Sequence, residues 1–274
     1  MRRKSLYILI LICSFPCILL SNSLDFGDGK KGWMLKSIEL ANLILNISGD
    51  YHLYPEWEEV SSEGNEGKVL IPIRIAENPK DHMLYVPFDK KEIIFEPIKL
   101  ERYLNTYCVE DDLGKMEIEQ ELIAALLLLH EVGHIENGDN GSFGKLDTSG
   151  VDEEVNYNIR ETESKNRELA ADIFAALQIK QAKDNVHTSF EASKMELAVT
   201  FMVWNLSNIR MIENFGSEAA GFWDKSLTHF NLELRFLIIQ NELAAPEMKK
   251  DSEELIEDFF NRRNNAPRII YKKE

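Results

Sequence analysis

Two histidines four residues apart, with a glutamate directly after the first, are the residues of this sequence best suited to chemistry. His130, Glu131 and His134 belong to the run HEVGH, which follows the apolar stretch LIAALLLL. Side chains four residues apart on a helix lie on one face, so both imidazoles can reach one zinc ion. The intervening carboxylate then lies beside the ion and can act as general base toward a water bound there. The run therefore predicts a helical zinc site with its base in place.

A pair of acidic residues, which begins thirty-four residues after His134, can complete that site. Glu168 opens the run ELAAD, and a catalytic zinc site takes a third protein ligand while its fourth position is left to water. Asp172, one turn further on, can accept a hydrogen bond from the remaining nitrogen of a ligand histidine and fix its tautomer. Small residues would let the two helices approach closely: Ala170, Ala171, Ala175 and Ala176. We therefore predict one Zn²⁺ per chain, held by His130, His134 and Glu168.

Each of these residues also has a purely structural interpretation. Two histidines at this spacing can be satisfied by hydrogen bonds inside a helix–helix core. Glu168 and Asp172 can belong to a solvated acidic face. The occurrence of both runs in one chain favours the metal site. Three other histidines have no candidate metal-ligand residues at a suitable spacing, and we expect them at the surface: His52, His82 and His187.

The pairing of HEVGH with ELAAD resembles the gluzincin type of zinc peptidase. Within that type, residues 122–235 are similar to the Lit-like peptidases, a family of phage-exclusion proteins. The matching segments are LHEVGHIENGD, RELAADIFAALQI, AVTFMVWNL and THFNLELRF. The last one resembles a His-Pro-x-x-x-x-Arg pattern, with Phe230 in place of the proline. The resemblance implies a zinc metallopeptidase with a helical body around the metal.

Two residues of the last segment extend the predicted site. His229 can donate a hydrogen bond to the oxyanion of a tetrahedral intermediate, and Arg235 can reach the same place. Packing or surface exposure is the alternative for His229, and ion pairing is the alternative for Arg235. Lit-like proteins act on a cytosolic translation factor, whereas the N-terminus of this chain indicates export. We therefore do not carry that substrate over.

The first 23 residues have the pattern of a secretory signal. Three basic residues at 2–4 precede the uncharged apolar run 6–20, and small residues at 21–23 suit cleavage. The run has 15 residues, fewer than the roughly 20 that span a bilayer. An uncleaved anchor, a lipidated cysteine and a buried strand are the alternatives. We expect an exported or membrane-anchored protein, with residues 6–20 as its means of membrane association.

The composition fits a folded globular chain and excludes several partners. The chain has 274 residues, and 31 Lys+Arg against 47 Asp+Glu give a net charge of −16. This acidic balance repels phosphates, which argues against nucleic acid as a partner and against adhesion to an anionic membrane. Of the three cysteines, only Cys108 lies beyond the N-terminal segment. It therefore cannot form an internal disulfide in the folded body, and we expect an unreactive structural thiol.

Hydrophobic patterning predicts an α+β fold, with a small antiparallel sheet in the N-terminal half and a mostly helical remainder. The predicted strands are 69–75, 83–88 and 92–96. Pro72 and Pro87 should restrict their strands to an edge or to a strand end. The predicted helices are 36–48, 117–137, 160–183, 191–215, 217–242 and 252–263.

The predicted organisation is a single metallopeptidase domain at 24–265, between the signal or anchor at 1–23 and a tail at 266–274. Its mixed part covers 24–115, and its helical part, which carries the zinc site, covers 116–265. A flexible loop is expected at 138–150, where glycine and small polar residues cluster.

Together these features predict a zinc-dependent endopeptidase that acts on a protein or peptide substrate. A zinc-bound water would attack the peptide carbonyl while Glu131 takes its proton and passes it to the leaving amine. The alternative is an exported noncatalytic interaction protein with a zinc-stabilised or metal-free helical core, whose acidic surface would bind basic partners. A structural zinc is usually closed by a fourth protein ligand. The sequence offers no fourth ligand beside these three, which favours the enzyme.

Overall fold

The computed structural model describes residues 28–58, 65–77, 82–87, 90–110, 114–138, 153–214 and 232–265. Across these residues the chain forms seven helices and a four-stranded sheet in its N-terminal half, which confirms the α+β prediction. Several predicted features lie outside the described residues: the signal segment 1–23, most of the loop (139–150), His229 and the tail 266–274.

The strands are short and precede most of the helices. They are β1 Tyr51–Pro55, β2 Val69–Ile75, β3 Leu84–Tyr85 and β4 Ile93–Phe95. The helices are α1 Asp28–Leu45, α2 Pro97–Cys108, α3 Gln120–Glu136, α4 Glu153–Lys183, α5 Ser189–Asn214, α6 Leu232–Leu243 and α7 Lys249–Asn265.

The sheet is mixed, so the prediction of an antiparallel sheet is wrong. Its strand order is β1-β2-β4-β3, with parallel β1–β2 and β2–β4 pairs and an antiparallel β3–β4 pair. Short strands separated by turn residues resemble consecutive hairpins in sequence. However, the chain runs through residues 56–68 before β2 and through 76–92 before β4. Connections of this length allow the crossovers that parallel pairs require.

Pro72 lies within β2, an interior strand, so its predicted edge position is wrong. The ladder between β2 and β4 begins only at Ile73, which pairs with Ile93. At Pro72 the strand is paired on one side alone, with Tyr54 of β1. The missing N–H of the proline therefore costs no bond toward β4. Pro87 follows the edge strand β3, as predicted.

Five predicted helices appear with shifted ends, and a sixth is only partly described. Residues 217–231 of the predicted helix 217–242 lie outside the described residues, and α6 begins at Leu232. The prediction missed α2 entirely. This helix has Pro97 in its first turn, and a carboxylate oxygen of Glu96 caps it by accepting a hydrogen bond from the Lys99 N–H at 2.6 Å. Glutamate is not among the preferred N-cap residues, so the start signal was weak.

Helix α3 runs through the middle of the core and carries the HEVGH run at its C-terminal end. It packs against α1, α2, α4 and α5 and touches β3. Its apolar stretch is buried except at Leu127, and Ile123, Leu128 and Leu129 are fully buried. Burial of each such side chain stabilises the fold by about 1.5–3 kcal/mol relative to leaving it exposed. This burial holds α3 in its place in the core. Across the described part of the chain, no helix combines the length and apolar character needed to cross a membrane.

Candidate metal centre

Two imidazoles converge at the C-terminal end of α3. The Nε2 atoms of His130 and His134 lie 3.0 Å apart, and the ring planes are nearly perpendicular. His130 is buried, whereas His134 is partly exposed. The helical spacing of four residues therefore aims two nitrogen donors at one point from one side.

Helix α4 brings a carboxylate to the same point. Oε2 of Glu168 lies 3.4 Å from Nε2 of His130, and Oε1 lies 3.5 Å from Nε2 of His134. One ligand atom from each of the three residues lies within 4.8 Å of the others. Ligands at the usual zinc distances in a tetrahedron stand about 3.3 Å apart. The donor types and their spacing therefore fit a metal ion.

The close approach of α3 to α4 depends on a glycine. A Cβ atom on Gly133 would lie 2.9 Å from Cα and 3.0 Å from the carbonyl oxygen of Ala171. It would also lie 3.1 Å from Cβ of Phe174. Ala171 and Ala175 are fully buried on the facing side of α4. The small residues of both runs therefore let the backbones touch and place Glu168 within reach of the histidines.

Asp172 lies behind His130, one turn after Glu168. Its Oδ1 atom is 2.8 Å from Nδ1 of His130, and the carboxylate is almost fully buried. A proton on Nδ1 donated to this oxygen leaves Nε2 free to bind a cation. Burial alone would raise the pKa of Asp172, but Arg235 and His130 together lower it well below its usual range. The carboxylate is therefore ionised.

Arg235 reaches this carboxylate from α6, a third helix. Its Nε donates to Oδ2 of Asp172, and its Nη2 donates to Oδ1, both at 2.8 Å. The same Nη2 lies 3.2 Å from both ring nitrogens of His130 and 3.4 Å from Oε2 of Glu168. The ion pair that the sequence left open for Arg235 is thus formed inside the site.

The protonation of His130 reflects its charged neighbours. Burial and Arg235 lower its pKa, but Asp172 and Glu168 outweigh them and raise the pKa to about 9. A metal ligand must give up its proton, so binding of a cation at Nε2 would release one.

Glu131 lies between the two histidines in sequence and is buried. Burial raises its pKa, while His134 and His130 lower it less. A carboxylate with a raised pKa is suited to accept and return a proton near neutral pH. Among the described residues, the group of side chains that could hold a metal ion consists of His130, His134 and Glu168. Glu131 is not part of it.

The other predicted positions fall in different places. His82 and His187 are exposed, as expected. His52 is half-buried in β1, and its buried Nδ1 has no hydrogen-bond partner in the described part of the chain, so its predicted surface position is wrong. The prediction missed β1, in which Tyr51 and Leu53 are buried and His52 lies on the opposite, less buried face. His229 lies outside the described residues.

Tyr103 is a neighbour of the site that the sequence did not indicate. It lies on α2, the helix that the patterning missed, and its hydroxyl is buried without a hydrogen-bond partner among the described residues. Burial raises its pKa above the usual range, and the nearby Arg235 lowers it only in part. Only a correct prediction of helix α2 could have indicated from the sequence that Tyr103 lies near the site.

The described residues thus contain a His-His-Glu group compatible with a metal ion, an ionised carboxylate behind it and a buried glutamate beside it. No protein-family model, no curated protein and no solved structure matches this chain.

Proposed function

We propose that this protein is a zinc-dependent endopeptidase of the gluzincin type, most similar to the Lit-like peptidases. The observation that carries the proposal is the convergence of His130, His134 and Glu168 within 4.8 Å, beside the buried Glu131. Three protein ligands with an open fourth position are typical of catalytic zinc, whereas structural zinc is closed by four. The described residues supply three.

Zinc is the ion that best suits this set of donors. Imidazole nitrogens together with one carboxylate are the ligands of many hydrolytic zinc sites, and hard cations prefer all-oxygen sites. We expect one ion per chain. When bound, zinc would polarise the substrate carbonyl and favour deprotonation of water.

The residues of the chain have distinct roles in the proposed hydrolysis. Glu131 accepts a proton from the attacking water and passes it to the nitrogen of the leaving amine. Asp172 holds the tautomer and the ring orientation of His130. His229 is proposed as a donor to the oxyanion, on the strength of its place in the segment THFNLELRF. The substrate class is a protein or peptide.

A substitution that spares the ligands tests the proposal. Glu131→Gln keeps the shape of the side chain and all three ligands, so zinc content and thermal stability should survive. Peptide cleavage should fall by about 10²–10⁴-fold, because an amide cannot accept the proton. Glu121→Gln is the matched control: it changes the same residue type on the same helix, at a side chain that faces Lys36. Its activity should equal that of the wild type.

The assay uses an unbiased peptide library, with zinc measured in every sample. Zinc-loaded wild type, freed of any pro-segment, is expected to cleave a subset of the library. Cleavage of nothing by such a sample would favour a noncatalytic zinc-stabilised interaction protein instead. Equal cleavage rates for Glu131→Gln and wild type would refute the role of the general base.

A further inference from the structure

We infer that Arg235 is a positioning residue for two of the three candidate metal ligands. Its Nη2 lies 3.4 Å from Oε2 of Glu168 and 3.2 Å from both ring nitrogens of His130, and Arg235 also acts on His130 through Asp172. The inference rests on the metal site of the proposed function and not on peptide cleavage, so the two can fail separately.

The planar guanidinium of Arg235 presents two N–H donors side by side, a fork that fixes the rotation of the Asp172 carboxylate. Nε and Nη2 each donate to a different oxygen of that carboxylate, at 2.8 Å. Oδ1 therefore faces both Nη2 and the Nδ1 atom of His130, which is also 2.8 Å away. A planar bidentate pair resists rotation in a way that one ammonium group cannot. Nδ1 of His130 thus meets an oxygen in a fixed position.

The same guanidinium also lies beside the carboxylate ligand. Its Nη2 is 3.4 Å from Oε2 of Glu168, and both side chains are largely buried, with 14% and 13% exposed. This separation is longer than a hydrogen bond, but it is close for opposite charges away from bulk water. The attraction draws Oε2 toward Arg235, while Oε1 remains 3.5 Å from Nε2 of His134. Arg235 therefore influences the orientation of this carboxylate too.

A purely structural role is the competing explanation. Arg235 also joins α6 to α4, two helices that pack against each other, and its loss would weaken that packing in any case. A structural tie would change the free energy of unfolding and leave the metal site as it was. A positioning residue would also change the metal affinity and the tautomer of His130. The two explanations therefore differ in a measurement that needs no substrate.

Arg235→Lys is the test variant, because it keeps the positive charge and removes the fork. We expect its zinc affinity, measured by competition with a chelator, to fall by about 10–100-fold, the usual effect of losing an outer partner of a ligand. ¹⁵N NMR of the protein at saturating zinc should give one tautomer for His130 in wild type, with the proton on Nδ1, and a mixture in the variant. Arg74→Lys is the matched control. Arg74 on β2 also engages two acidic partners, Glu56 at 2.7 Å and Glu92 at 3.2 Å. Both readouts should match the wild type in this control.

Arg235→Lys can also fail to fold, because it leaves a buried carboxylate with fewer partners. The double variant Arg235→Gln with Asp172→Asn removes both charges together and keeps neutral hydrogen-bonding groups in the same place. We expect it to fold and to bind zinc about 10–100-fold more weakly than the single variant Asp172→Asn, which keeps Arg235. Equal zinc affinity in these two variants would overturn the inference.

The outcomes of these experiments distinguish failure of the inference from failure of the proposed function. A folded Arg235 variant with wild-type zinc affinity and a single His130 tautomer would overturn the inference and leave Arg235 as a tie between helices. Wild type that binds no zinc would overturn both the inference and the proposed function. Wild type that binds zinc but cleaves no peptide would overturn the proposed function alone, and the response of zinc affinity to Arg235→Lys would still decide the inference.

Discussion

Gly133 on α3 lies against the backbone of Ala171 on α4, so closely that an added methyl group would stand 2.9 Å from the Cα atom of that alanine. Gly133 directly precedes His134 in the chain, and Ala171 follows Glu168 by less than one turn. The contact therefore sets the separation of the two helices that carry the candidate ligands. A backbone contact cannot relax as a flexible side chain can, so this spacing is sensitive to the volume at one position.

Gly133→Ala should push α3 and α4 apart. We expect a loss of about 1–3 kcal/mol in the free energy of unfolding, from overpacking, together with a weaker zinc affinity. Denaturant unfolding and zinc titration measure the two effects. Gly32→Ala in α1 is the control: nothing lies within 4 Å of its added methyl group, and alanine should stabilise the helix by roughly 0.5–1 kcal/mol. Equal stability of the Gly133 variant and wild type would contradict the close approach.

Removal of one candidate ligand should empty the metal site. His134→Ala leaves two ligands, which rarely hold zinc tightly, so its zinc content after dialysis should fall from about one ion per chain to near zero. His187→Ala, at an exposed position on the turn before α5, should retain the metal. Metal analysis of the three proteins, purified side by side, decides the matter. Equal zinc in the His134 variant and wild type would contradict the ligand assignment.

The convergence of His130, His134 and Glu168 was easier to predict than the sheet, because its signals are local. The i, i+4 spacing of His130 and His134 fixes a shared face on any helix, and the spacing of Glu168 and Asp172 does the same on α4. Strand pairing is not local: β3 follows β2 in the chain, yet β4 lies between them. No pattern within 69–96 reveals that order.

Arg235 illustrates the same limit at the site itself. The sequence left two alternatives for it, a place in the candidate site or an ion pair, and its ion-pair partner Asp172 is 63 positions away. The packing of α6 against α4 decides which face of one helix meets which face of the other. Periodicity predicts a face for each helix and leaves the pairing of faces open.

Tyr103→Phe should leave the stability unchanged or raise it by up to about 1–2 kcal/mol. The tyrosine hydroxyl is buried without a partner among the described residues, so its removal loses no hydrogen bond and ends a desolvation cost. Tyr51→Phe is the matched control, since the Tyr51 hydroxyl donates to Glu136. That variant should lose roughly 0.5–1.5 kcal/mol. Urea unfolding of both variants is the measurement, and a larger loss at Tyr103 than at Tyr51 would contradict the burial argument.

The body of the chain should lie outside the cytoplasmic membrane, cleaved or anchored. The basic start and the apolar run 6–20 motivate this prediction. Protease added to intact spheroplasts should digest the protein, while a cytosolic marker in the same sample stays protected. Full protection, with release of soluble protein on lysis, would contradict the prediction and favour a cytosolic Lit-like role.

Cys108 should resist alkylation in the folded protein. It is 1% exposed at the end of α2, and burial raises its pKa to about 12, although Lys115 lowers it slightly. The ordinary thiol pKa is 9.0, so the reactive thiolate should be about a thousandfold scarcer in the fold than in the unfolded chain. Iodoacetamide at pH 8 should therefore label Cys108 only after denaturation, as read by mass spectrometry of the peptide that contains it.

The same shift has a consequence for the pH dependence of stability. The folded pKa of Cys108 lies above the unfolded value, so the neutral thiol contributes its full stabilisation below about pH 9 and loses it as the pH rises toward 12. Cys108→Ala removes this titration, so the stability of the variant should decline less steeply between pH 8 and about pH 10 than that of wild type. Parallel declines in the two proteins, or rapid labelling of native Cys108, would mean that the thiol is open to solvent.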